Sequence, residues 1–144
     1  MSVSLDQPEI AARAGGAVGA LAVGIGVFAV YHLALAAFMA LAPDAFYTAV
    51  GPFGAYNDHY IRDLASYNAA IAAALAVALV RVSWRVPVLA LVTLQFALHT
   101  LNHLLDVHRA DPAWIGWFDF ISLTAATLLL AWLLRAARRP AVGA

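Results

Sequence analysis

Gln95, His99, Asn102, His103 and Asp106 recur at i, i+4, i+7, i+8 and i+11. On an α-helix that spacing places all five on one face. Imidazole, carboxylate and carboxamide groups on one face can ligate a metal, relay protons or hydrogen-bond a polar headgroup. The surrounding stretch from Pro87 to Val107 is apolar and long enough to cross a bilayer. Ionisable groups inside such a stretch are costly and generally face a bundle interior or a water-filled cavity. The pattern predicts a sheltered polar site.

A second stripe precedes it. His59, Asp63, Ser66 and Tyr67 stand at i, i+4, i+7 and i+8 and share a helical face. If this face turns toward the first stripe, His59, Asp63, His99, His103 and Asp106 form one cluster. His32 and Asp119 add a group from each of two further apolar segments. Asn68 lies off the stripe and is expected to hydrogen-bond between helices. Asp58, His59, His108, Arg109 and Asp111 fall near segment ends, where solvation alone accounts for them.

Four chemistries fit these residue types. In the first, His99, His103, Asp63, His32 and His59 are candidate ligands of zinc, iron, manganese or copper, with N/O donors suited to each. In the second, Gln95, Asn102, Asp106, Asp119 and Tyr67 join the histidines around a small quinone- or lipid-like ligand in a redox or transport setting. Tyr31, Tyr67, Phe96 and Phe118 then supply apolar walls. In the third, His32 and His99 hold a b-type haem beside Ala34, Ala36, Ala37 and Ala97, although alanine is so frequent here that this signal is the poorest. In the fourth, the polar groups only lock helices together in a scaffold or accessory subunit.

The elements that must position these residues follow from composition. The chain has 144 residues, 65% hydrophobic and 11% charged, with a mean hydropathy of +0.85. A soluble domain carries about 25% charged residues, so an integral membrane protein is expected. Cysteine is absent and all eight basic residues are arginine. Thiolate chemistry, disulfides and catalytic lysines are excluded, and nothing points to nucleic acid. The expected fold is an all-α transmembrane antiparallel four-helix bundle. Its spans cover about 14–41, 58–80, 86–107 and 113–134, between tails at 1–12 and 138–144, at roughly 20 residues per crossing. Asn57 or Asp58 caps the second span; Asp111 and Pro112 read as N-cap and N1 of the fourth. The loop from Ala42 to Asn57 is either a connector or a short interfacial helix lying on the bundle.

Arg13, Arg81, Arg85, Arg135, Arg138 and Arg139 flank one side, and Arg62 and Arg109 the other. This bias predicts a multi-pass cell-membrane protein with both termini cytoplasmic. The N-terminus lacks the basic region and cleavage site of a signal peptide, so the first span is expected to be retained. Gly15 and Gly19 make a small-xxx-small pattern, which serves either packing within the bundle or a homodimer or larger membrane complex.

The segments GPFGAYNDHYIRDLASYNAA and LQFALHTLNHLLDVH, within the four-span plan, resemble the small four-helix bacterial membrane proteins grouped around DoxX. The resemblance runs from about Val27 to Arg135. It implies a fold and a membrane location and little about activity, since DoxX-like members include a quinone-oxidoreductase subunit. The pair His99 and His103 also matches the HxxxH of membrane di-iron enzymes. Those carry about twice as many histidines, in several boxes, and the chain departs from that pattern.

Overall fold

The computed structural model describes residues 7–139, with side chains from residue 19 onward. Among the described residues there are five helices: α1 (Gln7–Leu41), α2 (Pro43–Ala49), α3 (Asp58–Val80), α4 (Val82–Asp106) and α5 (Ala113–Ala137). Four are long and apolar enough to cross a membrane, α1 over Gly19–Leu41 and α3, α4 and α5 over their full lengths. The expected all-α fold is what the described residues form, with four helices of spanning length.

Several boundaries follow the local chemistry, and some differ from expectation. α1 begins at Gln7, ahead of the expected Ala14, and residues 1–6 and 140–144 lie outside the described part. It stops at Leu41, two residues before Pro43, as proline's restriction of its predecessor requires. Asn57 caps α3, its side chain accepting from the Tyr60 N–H at 3.2 Å. The α3–α4 connection is shorter than the expected turn over Arg81 to Val86. Arg81 alone is extended, and helix resumes at Val82 with Pro87 inside it. Pro87 has no N–H to give the Ser83 carbonyl, so a ladder bond is missing in the second turn of α4. Arg85 compensates the end of α3, its guanidinium donating to the carbonyls of Ala78 at 3.2 Å and Leu79 at 3.4 Å. At α5 the N-cap is Pro112 rather than Asp111, with no side-chain cap bond, so helix starts one residue later than Pro112 was expected to begin it.

The loop between α1 and α3 contains the short α2. Pro43 stands in its first turn and Thr48 returns a hydrogen bond to the Asp44 carbonyl. Phe46 buries itself with Met39, Ile61 and Ala65, and so fastens α2 to α1 and α3. Of the two expectations for this loop, the helical cap is the observed one. Gly54 takes φ +71°, a conformation glycine adopts at no steric cost, and its carbonyl accepts from Tyr47 Oη at 2.6 Å. Phe53 forms a bridge with Ala110, which brings this loop and the α4–α5 turn to the same end of the bundle.

Core packing explains where space remains. α1 packs mainly on α3, and α4 on α5; α3 meets α4 less closely, and α1 barely approaches α5. Buried Ala29, Ala36, Ala65, Ala72 and Ala78 let the α1 and α3 backbones come close. Ile25, Leu75, Leu89, Val92, Leu130 and Leu133 are fully buried and come from all four long helices. The second core, around Met39, Phe46, Ile61 and Ala65, draws only on α1, α2 and α3. The two helix pairs are therefore clamped together by one core and left apart beyond it. His99 and His103 of α4 border the cavities left in that gap.

Candidate functional site

His99 and His103 lie one turn apart on α4, their rings in edge-to-face contact at 4.7 Å between centroids. His103 Nδ1 is 3.9 Å from Asp119 Oδ2 of α5, and both side chains are largely buried, at 15% and 14% exposure. At that separation no hydrogen bond forms, and His103 Nδ1 has no other partner among the described residues. The pair is held close without being closed. Its geometry permits a direct bond after a small side-chain movement, or an inserted polar group.

His99, His103 and Asp119 line one cavity of about 400 Å³ between α1, α4 and α5. Val27, Phe28, Phe96, Phe118, Leu123 and Ala126 make its apolar wall, and Tyr31 and Ser122 add hydroxyl groups. Val27, Tyr31 and Phe118 are also exposed on the outside of the bundle, so the cavity opens sideways between α1 and α5. Its make-up suits an elongated molecule with an apolar body and a polar head. Tyr31, Phe96 and Phe118 were legible as walls from sequence. Ser122 was not singled out, although it stands three residues after Asp119 and so shares its face.

His32 sits elsewhere. It is 2% exposed, the one buried polar residue among those described. Its Nδ1 is 2.7 Å from Asn68 Oδ1. Asn68 Nδ2 donates to the Leu64 carbonyl at 2.9 Å and lies 3.7 Å from Met39 Sδ. The amide is thereby oriented with its oxygen toward His32, which puts the imidazole proton on Nδ1. Nε2 has no partner among the described residues. Phe96 packs edge-on against the His32 ring at 5.6 Å and Tyr31 at 5.3 Å. The expectation that Asn68 bonds between helices is met, and its partner is one of the candidate site residues.

The second stripe does not converge on the first. Asp63 is 55% exposed and its nearest charge partner is His59 of its own helix, at 3.5 Å. Neither lines the cavities of His99 and His103. The α3 face that turns inward carries Ile61, Ala65, Ala72 and Leu75 instead, because the alanines allow close packing on α1. Asp106 pairs with Arg109 at 3.2 Å at the end of α4. Asn102 is exposed and flanks a shallow groove with Gln95 and His99. Gln95 and Tyr67 line another cavity between α3 and α4. Six expected members, His59, Asp63, Tyr67, Gln95, Asn102 and Asp106, thus lie apart from the His103–Asp119 pair. Among the described residues no group of three or more His, Cys, Asp or Glu side chains is placed to hold a metal ion.

The chain matches no protein-family model, no curated protein and no solved structure. The resemblance to DoxX-like proteins rests on the four-span plan and the quoted segments.

Proposed function

We propose that the protein is a multi-pass cell-membrane protein that binds a quinone- or lipid-like molecule in the cavity between α1, α4 and α5. The observation that carries this reading is the composition of that cavity: apolar walls, a sideways opening and the His103–Asp119 pair at one end. A molecule entering from the bilayer leaves its apolar body among Val27, Phe28 and Phe96. Its oxygen head meets His103, Asp119 and Tyr31. The up-and-down course, with both termini cytoplasmic, is supported by the arginine bias and by the Phe53–Ala110 bridge. On this topology the polar end of the cavity lies in the outer half of the bilayer.

A second reading, a scaffold or accessory subunit of a larger membrane complex or homodimer, is favoured by polar contacts that bind helices to each other. These are His32 with Asn68, and Thr100 with Thr127 at 3.0 Å. A DoxX-like assignment is compatible with either reading. A metal bound by His99 and His103 is supported only by their ring contact.

The deciding experiment is photolabelling in nanodiscs with two probes, a diazirine-bearing short-chain quinone and a diazirine-bearing fatty acid, mapped by mass spectrometry. Labelling is expected at Val27, Phe118 and Ser122, and is expected to fall in Asp119→Leu. The probe that labels more efficiently identifies the class. Labelling spread evenly over all lipid-facing helices, and unchanged in Asp119→Leu, overturns the ligand reading. Metal stoichiometry on the same untagged preparations separates the metal reading.

A further inference from the structure

His99 and His103 line two cavities, not one. Besides the sideways cavity, both border a chamber of about 340 Å³ beneath α2 and its loop. The rest of that chamber comes from the ends of α1 and α3 and from the loop, including Met39, Phe46, Tyr47, Phe53, Asn57 and Tyr60. Tyr60 and Asn57 are exposed at the end of the bundle where the loop and the α4–α5 turn meet. The histidine pair is therefore the shared wall between a chamber at the bundle end and a cavity open to the side. Phe53 stands edge-on to the His103 ring at 5.1 Å. The loop holding it is tied down at the Phe53–Ala110 bridge and at Tyr47 Oη to Gly54.

We propose that the chamber under α2 is an aqueous vestibule through which His103 exchanges water, protons and small polar solutes with the medium at that end, with Phe53 as its gate. This deepens the ligand reading, because the polar head of a molecule in the side cavity then has a route to water that bypasses the lipid. It rests on the shared wall and holds whether or not a ligand binds. The ionisable groups around His103 are His99 and Asp106 on its own helix, Asp119 on α5, and Tyr47 and Tyr60 across the chamber. A histidine set among these, with one nitrogen toward a carboxylate, is suited to passing a proton between the two cavities.

The absence of cysteine makes the test direct. Single-cysteine variants His103→Cys, Ala126→Cys and the surface reference Arg109→Cys are reconstituted in nanodiscs. Each is treated with a charged methanethiosulfonate and, separately, with a lipid-soluble maleimide. The charged reagent is expected to modify His103→Cys and not Ala126→Cys, which lines only the side cavity. Adding Phe53→Trp to His103→Cys is expected to slow modification about tenfold, a barrier increase of about 1.4 kcal/mol. If His103→Cys does not fold, carbethoxylation of the native histidines gives the same answer. His103 must then react, with His59 and His108 as exposed references, and faster in Phe53→Ala. A His103 position reached only by the lipid-soluble reagent, or a rate indifferent to both Phe53 variants, overturns the vestibule. That outcome leaves the side cavity standing. Failure of the maleimide at Ala126→Cys instead counts against the side cavity.

Discussion

His32 and Asn68 show how a polar contact within an apolar bundle sets a stability requirement. The imidazole is almost wholly buried and its Nδ1 proton has one acceptor, Asn68 Oδ1. Asn68→Leu removes that acceptor and leaves a buried donor unpaired, at a cost of about 1–3 kcal/mol. Asn68 exchanges its other bond, to the Leu64 carbonyl, within its own helix, so the loss centres on His32. The double variant His32→Leu/Asn68→Leu is expected to be more stable than Asn68→Leu alone, since no unpaired group remains. Thermal or denaturant unfolding in detergent for the three variants measures it. Equal melts for wild type and Asn68→Leu would mean that the contact contributes nothing.

Asp63 makes the opposite prediction. Its side chain is exposed and its contact with His59 is an i,i+4 pair of the kind that contributes little. Asp63→Ala is expected to alter stability by no more than about 0.5 kcal/mol and to leave probe labelling of the side cavity unchanged. Asp119→Leu is expected to reduce that labelling. Photolabelling yields of the two variants, side by side, distinguish a site built on Asp119 from one built on Asp63.

Among the described glycines, Gly116 stands in the tightest approach between elements. A Cβ added there would run into the backbone carbonyl of Val107, across the α4–α5 turn. Backbone cannot move aside as a side chain can, so Gly116→Ala must push α5 away from α4. At Gly24 an added Cβ meets only the Leu133 methyl groups, at 2.6 and 2.9 Å. A flexible side-chain end can rotate away. Overpacking costs about 1–3 kcal/mol, and Gly116→Ala is expected at or above that range, with Gly24→Ala below it. Unfolding midpoints of the two variants test the ranking; a larger loss for Gly24→Ala would contradict it.

The same scale explains what was legible in the sequence. The four long apolar segments follow from length and hydropathy; α1 ends close to its punctuation by Pro43, and α3 begins at its cap, Asn57. Spacing also placed His99 and His103 on one face correctly. Spacing says which residues share a face and not which way that face turns. On α3 the polar stripe and the alanine stripe compete for the inside, and the alanines take it because they permit the closest approach to α1. The rotation that buries Ala65 and Ala72 exposes His59 and Asp63. On α5 no stripe of ionisable groups was visible, since only Ser122 shares the face of Asp119 as a polar neighbour. Its pairing with His103 depends on how α4 and α5 pack, which no single segment encodes.

At the scale of the whole molecule, the depth of the site depends on which way the bundle stands in the bilayer. Arg81 and Arg85 lie at the α3–α4 turn and Arg135 and Arg138 at the end of α5, while Arg62 and Arg109 belong to the end that carries the α2 loop. Arg62 and Arg109 are also paired with Asp58 and Asp106. Orientation follows unequal Lys and Arg placement, with the richer side held in the cytoplasm and acidic residues counting little. Both termini are therefore expected inside, and the chamber beneath α2 outside. Single cysteines at Val3 and Gly143 in the otherwise cysteine-free chain are expected to resist an impermeant maleimide in intact cells and to react after permeabilisation. A cysteine at Ala55, in the α2 loop, is expected to react in both states. Labelling of either terminus in intact cells would invert the bundle. The side cavity and its lining would be unchanged, but its polar end would then draw protons from the cytoplasm, and a role facing the outer medium would be lost.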